Sequence, residues 1–444
     1  VKIAHILTSL ALLTASCDIV LAVNVGGTVR FCQIMLLGVC LCALAQMLQT
    51  GRILWPRGGT ALALWCIVQG LLISQSPAFQ ASVALYAVLF FSIIGIAAVV
   101  QLYGQSPRIA PLMKVYLYSF VVTAAFGAMQ FVLPTLHLGS PLVVQWIVPG
   151  LIPRINGFSY EPSYFATYLI MGWIMLVDLR ISRARITQQR RWFWFLLLVS
   201  AVLFLSTSKT AWLLIALEGL SRFLPSLLRV VRRQARRLNQ GSWVVTLPRA
   251  RVLMALAVFV VVLAEGIAAV SRVVNLNIFL SGSGLNGTAA HSLNDRVAGF
   301  AATLAVTQQH FWIGRSLGGV PATIALHYGF HLTNIAQLRT FWGFPVPLEV
   351  FAASGFWGFL PFLWFFLVIT GGERKLIRVN WEDDRAKWLR ALIRALIFEW
   401  LALCADQNLL RSYLWFHVTM VVVVGYNLRY FRDRPQPVPV LAIA

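Results

Sequence analysis

Residues 82–133 read SVALYAVLFFSIIGIAAVVQLYGQSPRIAPLMKVYLYSFVVTAAFGAMQFVL. Two apolar runs of about 20 residues, each long enough to cross a hydrocarbon core of roughly 30 Å, flank a short break carrying Gly104, Pro107 and Arg108. A pair of helices joined by a short basic loop at one membrane surface follows. Working outward and cutting at charged or Pro/Gly-rich breaks divides the chain into twelve such runs, roughly 3–22, 30–49, 60–76, 82–102, 112–133, 162–179, 192–207, 209–226, 252–272, 346–370, 391–407 and 412–429. The first is expected to be a retained span and not a removed leader, because no small-residue cleavage site follows it. The 444 residues are 59% hydrophobic and 11% charged, which excludes an ordinary soluble enzyme, a disordered chain and a disulfide-stapled module. The six cysteines lie inside apolar runs without C-x-x-C spacing. The expected fold is an all-α polytopic membrane protein of about 12 transmembrane helices, with a single membrane domain over 1–430 and a cytoplasmic tail over 431–444.

Charge placement sets the orientation. The net charge is +22, and with the N-terminus inside, most of the 36 Lys and Arg residues fall in the inside loops, including all those of 180–191, 222–251 and 374–394. The basic excess therefore reports topology and anionic membrane lipid, not nucleic acid, even at RVVRRQARR (229–237). Both termini are expected in the cytoplasm. Arg30, Arg154, Lys209, Arg272, Arg296, Arg315, Arg339 and Arg411 fall on the outer side, and exceptions to a topology rule need a local reason.

Two outer segments are large. Residues 134–161 form a Pro-punctuated, hydrophobic loop that lies at or re-enters the interface, and 273–345 separate spans nine and ten. Within the second, Ser292 with Asp295 three residues on predicts a helix from about 293 to 310 capped by Ser292. Gly314, Gly318 and Gly319 then make a turn, and apolar spacing predicts a second helix over 321–340 with His327 and His331 on one face. Where the first outer loop enters the sixth span, Pro162 suits the first helical turn and Glu161 its positive end, with Arg154 just outside. An Arg–Glu anchor and a guanidinium facing an anionic ligand are both compatible with that spacing.

Four pieces resemble the O-antigen ligase and O-antigen polymerase superfamily of the bacterial envelope. Arg154, Gly157, Phe158, Glu161, Pro162, Ser163 and Ala166 match its Arg-x-x-Gly plus Glu/Asn-Pro-Ser/Asn pattern. STSKTAW (206–212) is similar to its Ser-Arg-Gly-Ala segment, with Lys209 in place of Arg, and NDRVAGFAATLAVTQQHFWIGRSLGG (294–319) to its Arg-led outer helix and Gly-rich turn. PLEVFAASGFWGFLPFLWFF (347–366) resembles its Leu-Glu-x-x-x-x-x-Gly-x-x-Gly segment. The family's ligases carry a His-Asn pair four residues before that Leu, where this chain has Phe344, a departure that favours the polymerases.

The resemblance implies a C-type glycosyltransferase fold with a helical periplasmic loop, in the bacterial inner membrane, taking a polyprenyl-diphosphate-linked saccharide at the periplasmic face without metal or cofactor. The acceptor would be a lipid-linked saccharide for a polymerase, or lipid A-core for a ligase. It carries the catalytic arginine onto Arg296, with Arg154, Arg315, Lys209 and Arg339 as further diphosphate ligands and Glu161, His327 or His331 to take the acceptor proton. The chemistry fits independently: a guanidinium meets phosphate oxygens two at a time, and diphosphate leaves readily once its developing charge is met. A polysaccharide transporter or flippase is the alternative of another class, against which stand the outer position of the largest loop and the lack of a six-plus-six repeat.

Overall fold

The computed structural model describes residues 2–24, 28–148, 150, 152–238, 290–330, 337, 341–405 and 409–432. The protein is built of helices with two short hairpins. In chain order they are α1 (Lys2–Leu13), β1 (Ala22–Asn24), β2 (Thr28–Arg30), α2 (Phe31–Thr50), α3 (Gly59–Leu72), α4 (Phe79–Tyr103), α5 (Ile109–Thr135), β3 (Gln145–Val148), β4 (Ile152–Arg154), α6 (Pro162–Ile181) and α7 (Arg191–Leu205). There follow α8 (Lys209–Leu238), α9 (Ala290–Gln309), α10 (Gly319–His327), α11 (Val346–Thr370), α12 (Arg374–Val379), α13 (Asp384–Leu403) and α14 (Ser412–Arg432). Among the described residues five helical segments are long and apolar enough to cross a membrane: α2, α4, α5, α6 and Val346–Val379, which joins α11 to α12. Helices α1, α3 and α7 are apolar but shorter. The expected span at 252–272 lies outside the described residues. The architecture is that of an all-α, membrane-embedded protein.

Long-range ion pairs sort the loops into two ends. At one, here the basic end, Asp178 of α6 holds Arg222 of α8 at 3.2 Å and Arg390 of α13 at 2.8 Å, and Glu218 of α8 holds Arg394 of α13 at 2.8 Å. Glu373, just before α12, pairs with Arg57 and with Arg429 of α14. At the far end Asp18 holds Arg30 at 2.7 Å and Arg411 at 3.1 Å. Each pair joins segments that lie apart in the sequence.

Three expected elements differ. The first span was expected over 3–22, yet α1 ends at Leu13, because Asp18 is 2% exposed and must sit among its arginines, and Ser16 reaches Thr123 of α5 at 3.0 Å. Helix α9 already includes Ala290, so Ser292 lies inside it and is not its N-cap. The helix expected over 321–340 stops at His327, where the Tyr328 amide turns back to Ile324 and Ala325 and Gly329 takes a left-handed φ of 78°. His331, expected on the same face as His327, lies outside the described residues.

Candidate functional site

Arg154 closes the β3–β4 hairpin, opposite Gln145 in the antiparallel register. Its Nη1 donates to Gln145 Oε1 at 2.9 Å, and its Nε to Thr207 Oγ1 at 3.4 Å, at the α7–α8 junction. The loop that presents it is organised by two buried amides. Gln130 of α5 accepts from the Gly157 amide at 2.7 Å and donates to Pro141 and Gly157 carbonyls, while Asn156 donates to Leu142 and Ser159 carbonyls. Irregular backbone packed against a membrane helix needs such internal partners, since lipid offers none. Gly157 adopts φ 55°, and a Cβ there would lie 2.3 Å from the Phe165 ring, so the close approach demands glycine. Helix α6 starts at Pro162 with Glu161 as its extended N-cap, as expected, and Ser163 Oγ donates to Glu161 Oε2 at 3.1 Å. Burial pushes the Arg154 pKa below the usual guanidinium value and the Glu161 carboxylate offsets this in part. Arg154 is thus a half-buried cation on neutral hydrogen-bond acceptors. Lys209 is the exposed first residue of α8, two positions beyond Thr207, which brings it to the same corner.

Arg315 lies in a second corner, in the turn between α9 and α10. Helix α11 breaks at Gly355 (φ 62°), and Phe356 donates its amide to Phe311 O instead of to Ala352 O one turn back. The carbonyls of Ala352 and Ala353 instead accept from the Arg315 and Ser316 amides, at 3.0 and 2.9 Å. The break therefore supplies acceptors that fix the turn, in keeping with the near-obligatory pairing of buried backbone groups. A Cβ on Gly314 or Gly355 would fall 2.3 Å or 2.6 Å from the opposing backbone. On the other side Gly318 abuts Ser82 of α4, whose Oγ meets Ser316 Oγ at 2.8 Å and Ser76 Oγ at 2.6 Å. So held, Arg315 donates from Nε to His310 Nε2 at 2.9 Å and from Nη1 to the Gln75 carbonyl at 3.2 Å. Burial and the Arg315 charge lower the His310 pKa, which keeps its ring neutral and able to accept. His310 went unread in the sequence; its position five residues before Arg315 was the available signal.

Arg30 and Arg411, which do have a carboxylate partner, form a third group. Both pair with Asp18, and Arg411 also stacks over the Tyr164 ring, 3.1 Å from its centroid. The Asp18 and Ile19 amides donate to Phe158 O, which ties this cluster to the loop carrying Arg154. Asp18 thus gives both arginines a counter-charge inside the fold.

The remaining expected residues are dispersed. Arg296 is half-buried in the second turn of α9, so it does not head the helix, and the free N–H groups of a first turn are not beside it. By helical spacing it shares a face with Gly299 and Thr303, and Thr303 Oγ1 accepts from the Phe344 amide at 3.0 Å. His327 is exposed at the end of α10, its ring beside Tyr328. Arg339 and His331 lie outside the described residues. Among the described residues no hydrogen bond or ion pair joins the Arg154, Arg296 and Arg315 corners.

No family model matches the chain, and no curated protein sequence matches it.

Proposed function

We propose that this chain is a glycosyltransferase of the bacterial inner membrane, polymerising saccharide units carried on polyprenyl diphosphate, with the far end facing the periplasm. The observation that carries this reading is the contrast among far-end arginines. Arg30 and Arg411 share the Asp18 carboxylate as a direct ion-pair partner, whereas Arg154 and Arg315 hydrogen-bond an amide, a hydroxyl, an imidazole and a carbonyl, with the Glu161 carboxylate near Arg154 but not paired with it, and so can meet an anion. A lipid diphosphate brings its charge to the headgroup level with its tail in hydrocarbon, where half-buried arginines beside helix ends can meet it. The bundle is then one of about twelve spans with both termini cytoplasmic, a reading supported by the charge bias and by ion pairs that stay within one end.

In this reaction an acceptor hydroxyl oxygen bonds to the anomeric carbon while the bond from that carbon to the diphosphate oxygen breaks, its electron pair leaving with the diphosphate. Arg154, Arg296 and Arg315 meet the developing charge, with Lys209 and Arg339 as further cations. The hydroxyl proton passes to Glu161 or to a loop histidine, His327 or His331. Phe344, where the ligases of the resembling family carry histidine, favours a lipid-linked saccharide acceptor over lipid A-core.

The test is transfer from a purified polyprenyl-diphosphate glycan in nanodiscs. Arg154→Lys and Arg315→Lys should each lower turnover strongly at normal protein level, and near-wild-type rates for both would remove them from the site. In a deletion strain, core capped by one repeat unit identifies the polymerase, and uncapped core with long glycan stranded on the carrier identifies the ligase. For orientation, Ser140→Cys in the outer loop should label with an impermeant thiol reagent on intact cells, and Gln188→Cys only after permeabilisation; the reverse pattern would defeat the periplasmic assignment.

A further inference from the structure

Two cavities open at the basic end on either side of the α4–α5 connection, and Gln105 lines both. The larger, about 910 Å³, is lined by cations that have carboxylate neighbours in the same wall: Arg385 is 2.7 Å from Asp383, and Arg185 is 4.0 Å from Asp384. The other, about 880 Å³, is different in kind. Arg52, Arg108 and His5 line it, and among the described residues no Asp or Glu does.

Its shape suits an amphiphile. Arg52 and Arg108 stand at the loop level, while Cys42 and Ala45 on α2 and Ala4 on α1 line its inner part. The nine residues from Cys42 to the helix end at Thr50 span about 12 Å of helix, so the cavity runs from the headgroup level into the hydrocarbon. Beside it, Leu41, Leu44 and Leu48 of α2 and Ile3 and Ile6 of α1 are exposed outward, an apolar flank along which acyl chains can lie. The wall is built, not loose: Gln101 of α4 accepts from the Leu54 amide at 2.8 Å and donates to the Arg52 carbonyl at 3.1 Å, and His5 Nδ1 meets the Tyr103 hydroxyl at 3.2 Å.

We propose that this cavity binds an anionic glycerophospholipid of the membrane leaflet at the basic end, its phosphodiester between Arg52 and Arg108 and its chains on the α1–α2 flank. Guanidinium forks match phosphate oxygens, and a wall of otherwise neutral side chains whose permanent charges, among the described residues, are two arginines favours an anionic headgroup over a zwitterionic one. The inference is independent of the glycosyl-transfer reading, since it concerns the opposite end of the bundle.

The experiment is native mass spectrometry of the purified full chain titrated with phosphatidylglycerol or phosphatidylcholine, with the melting temperature of each variant recorded. Phosphatidylglycerol should be retained at least tenfold more tightly than phosphatidylcholine, and Arg52→Gln/Arg108→Gln should erase that preference with an unchanged melting temperature. Arg185→Gln, in the other cavity, should leave it intact. Because both mutated arginines are exposed loop residues, loss of the fold is not expected; should the double variant melt early, the two single variants, each lowering the preference severalfold, carry the test. Equal binding of the two lipids, or a preference that survives the substitutions, overturns the proposal. Displacement of the lipid by millimolar glycerol 3-phosphate overturns it in favour of a soluble phosphate ligand.

Discussion

The two ends of the bundle treat arginine differently. At the basic end three acids, Asp178, Glu218 and Glu373, each bridge arginines from separate segments, so that Arg222, Arg390, Arg394, Arg57 and Arg429 clamp helices together. At the far end the Asp18 cluster follows that pattern. Arg154 and Arg315 are hydrogen-bonded instead by neutral groups. A carboxylate partner marks an arginine whose charge is spent on assembly, and a neutral partner positions the guanidinium while leaving its charge for a ligand.

The strongest test of that distinction is Asp18→Asn. It leaves two arginines, one of them buried, without their counter-charge, and breaking a buried pair costs about 3–5 kcal/mol, so protein level and melting temperature should fall sharply. An unchanged melting temperature would break the comparison. Arg154→Lys should do the reverse, lowering transfer roughly a hundredfold, or about 2.7 kcal/mol of transition-state stabilisation, with little change in melting. Arg30→Lys is the matched control: it should lose stability and keep turnover per folded molecule.

A smaller effect is expected from Gly318→Ala. The new Cβ would lie 2.5 Å from the Ser82 amide nitrogen, so the turn must move away from α4 and carry Arg315 with it. Overpacking of this kind costs about 1–3 kcal/mol, and transfer should fall about tenfold; wild-type values would show that the turn has slack.

The smallest concerns pH. His310 binds a proton less readily in the folded protein than as a free imidazole, so it penalises the folded turn increasingly as pH falls below the ordinary histidine value of about 6.5. Protonated, its Nε2 no longer accepts from Arg315, and transfer should drop on the acid side. His310→Gln retains an acceptor that does not titrate, and should flatten that limb by a fewfold change; an identical pH profile would exclude His310 as the positioning group for Arg315.

Much of this architecture was written in local sequence. The apolar runs, the basic loops between them, the Pro162 start of α6 and the Gly-rich turn after α9 follow from span length, charge bias and helix-end chemistry, all of which act within a few residues of chain. Local spacing failed at the ends of α1, α9 and α10. At the first of these a single buried acid outweighs the apolar residues on either side of it, through partners 12 and 393 residues away.

Sequence by itself determined that the chain is helical and membrane-embedded, and that Arg154 and Arg315 stand beside helix ends. Only the tertiary structure decided which arginines are neutralised, because a counter-charge is a matter of angstroms between segments that the sequence keeps far apart. It also decided the break at Gly355 and the pairing of His310 with Arg315. Both depend on backbone groups of one segment completing the hydrogen bonds of another, and in a medium without water those partners come only from the fold.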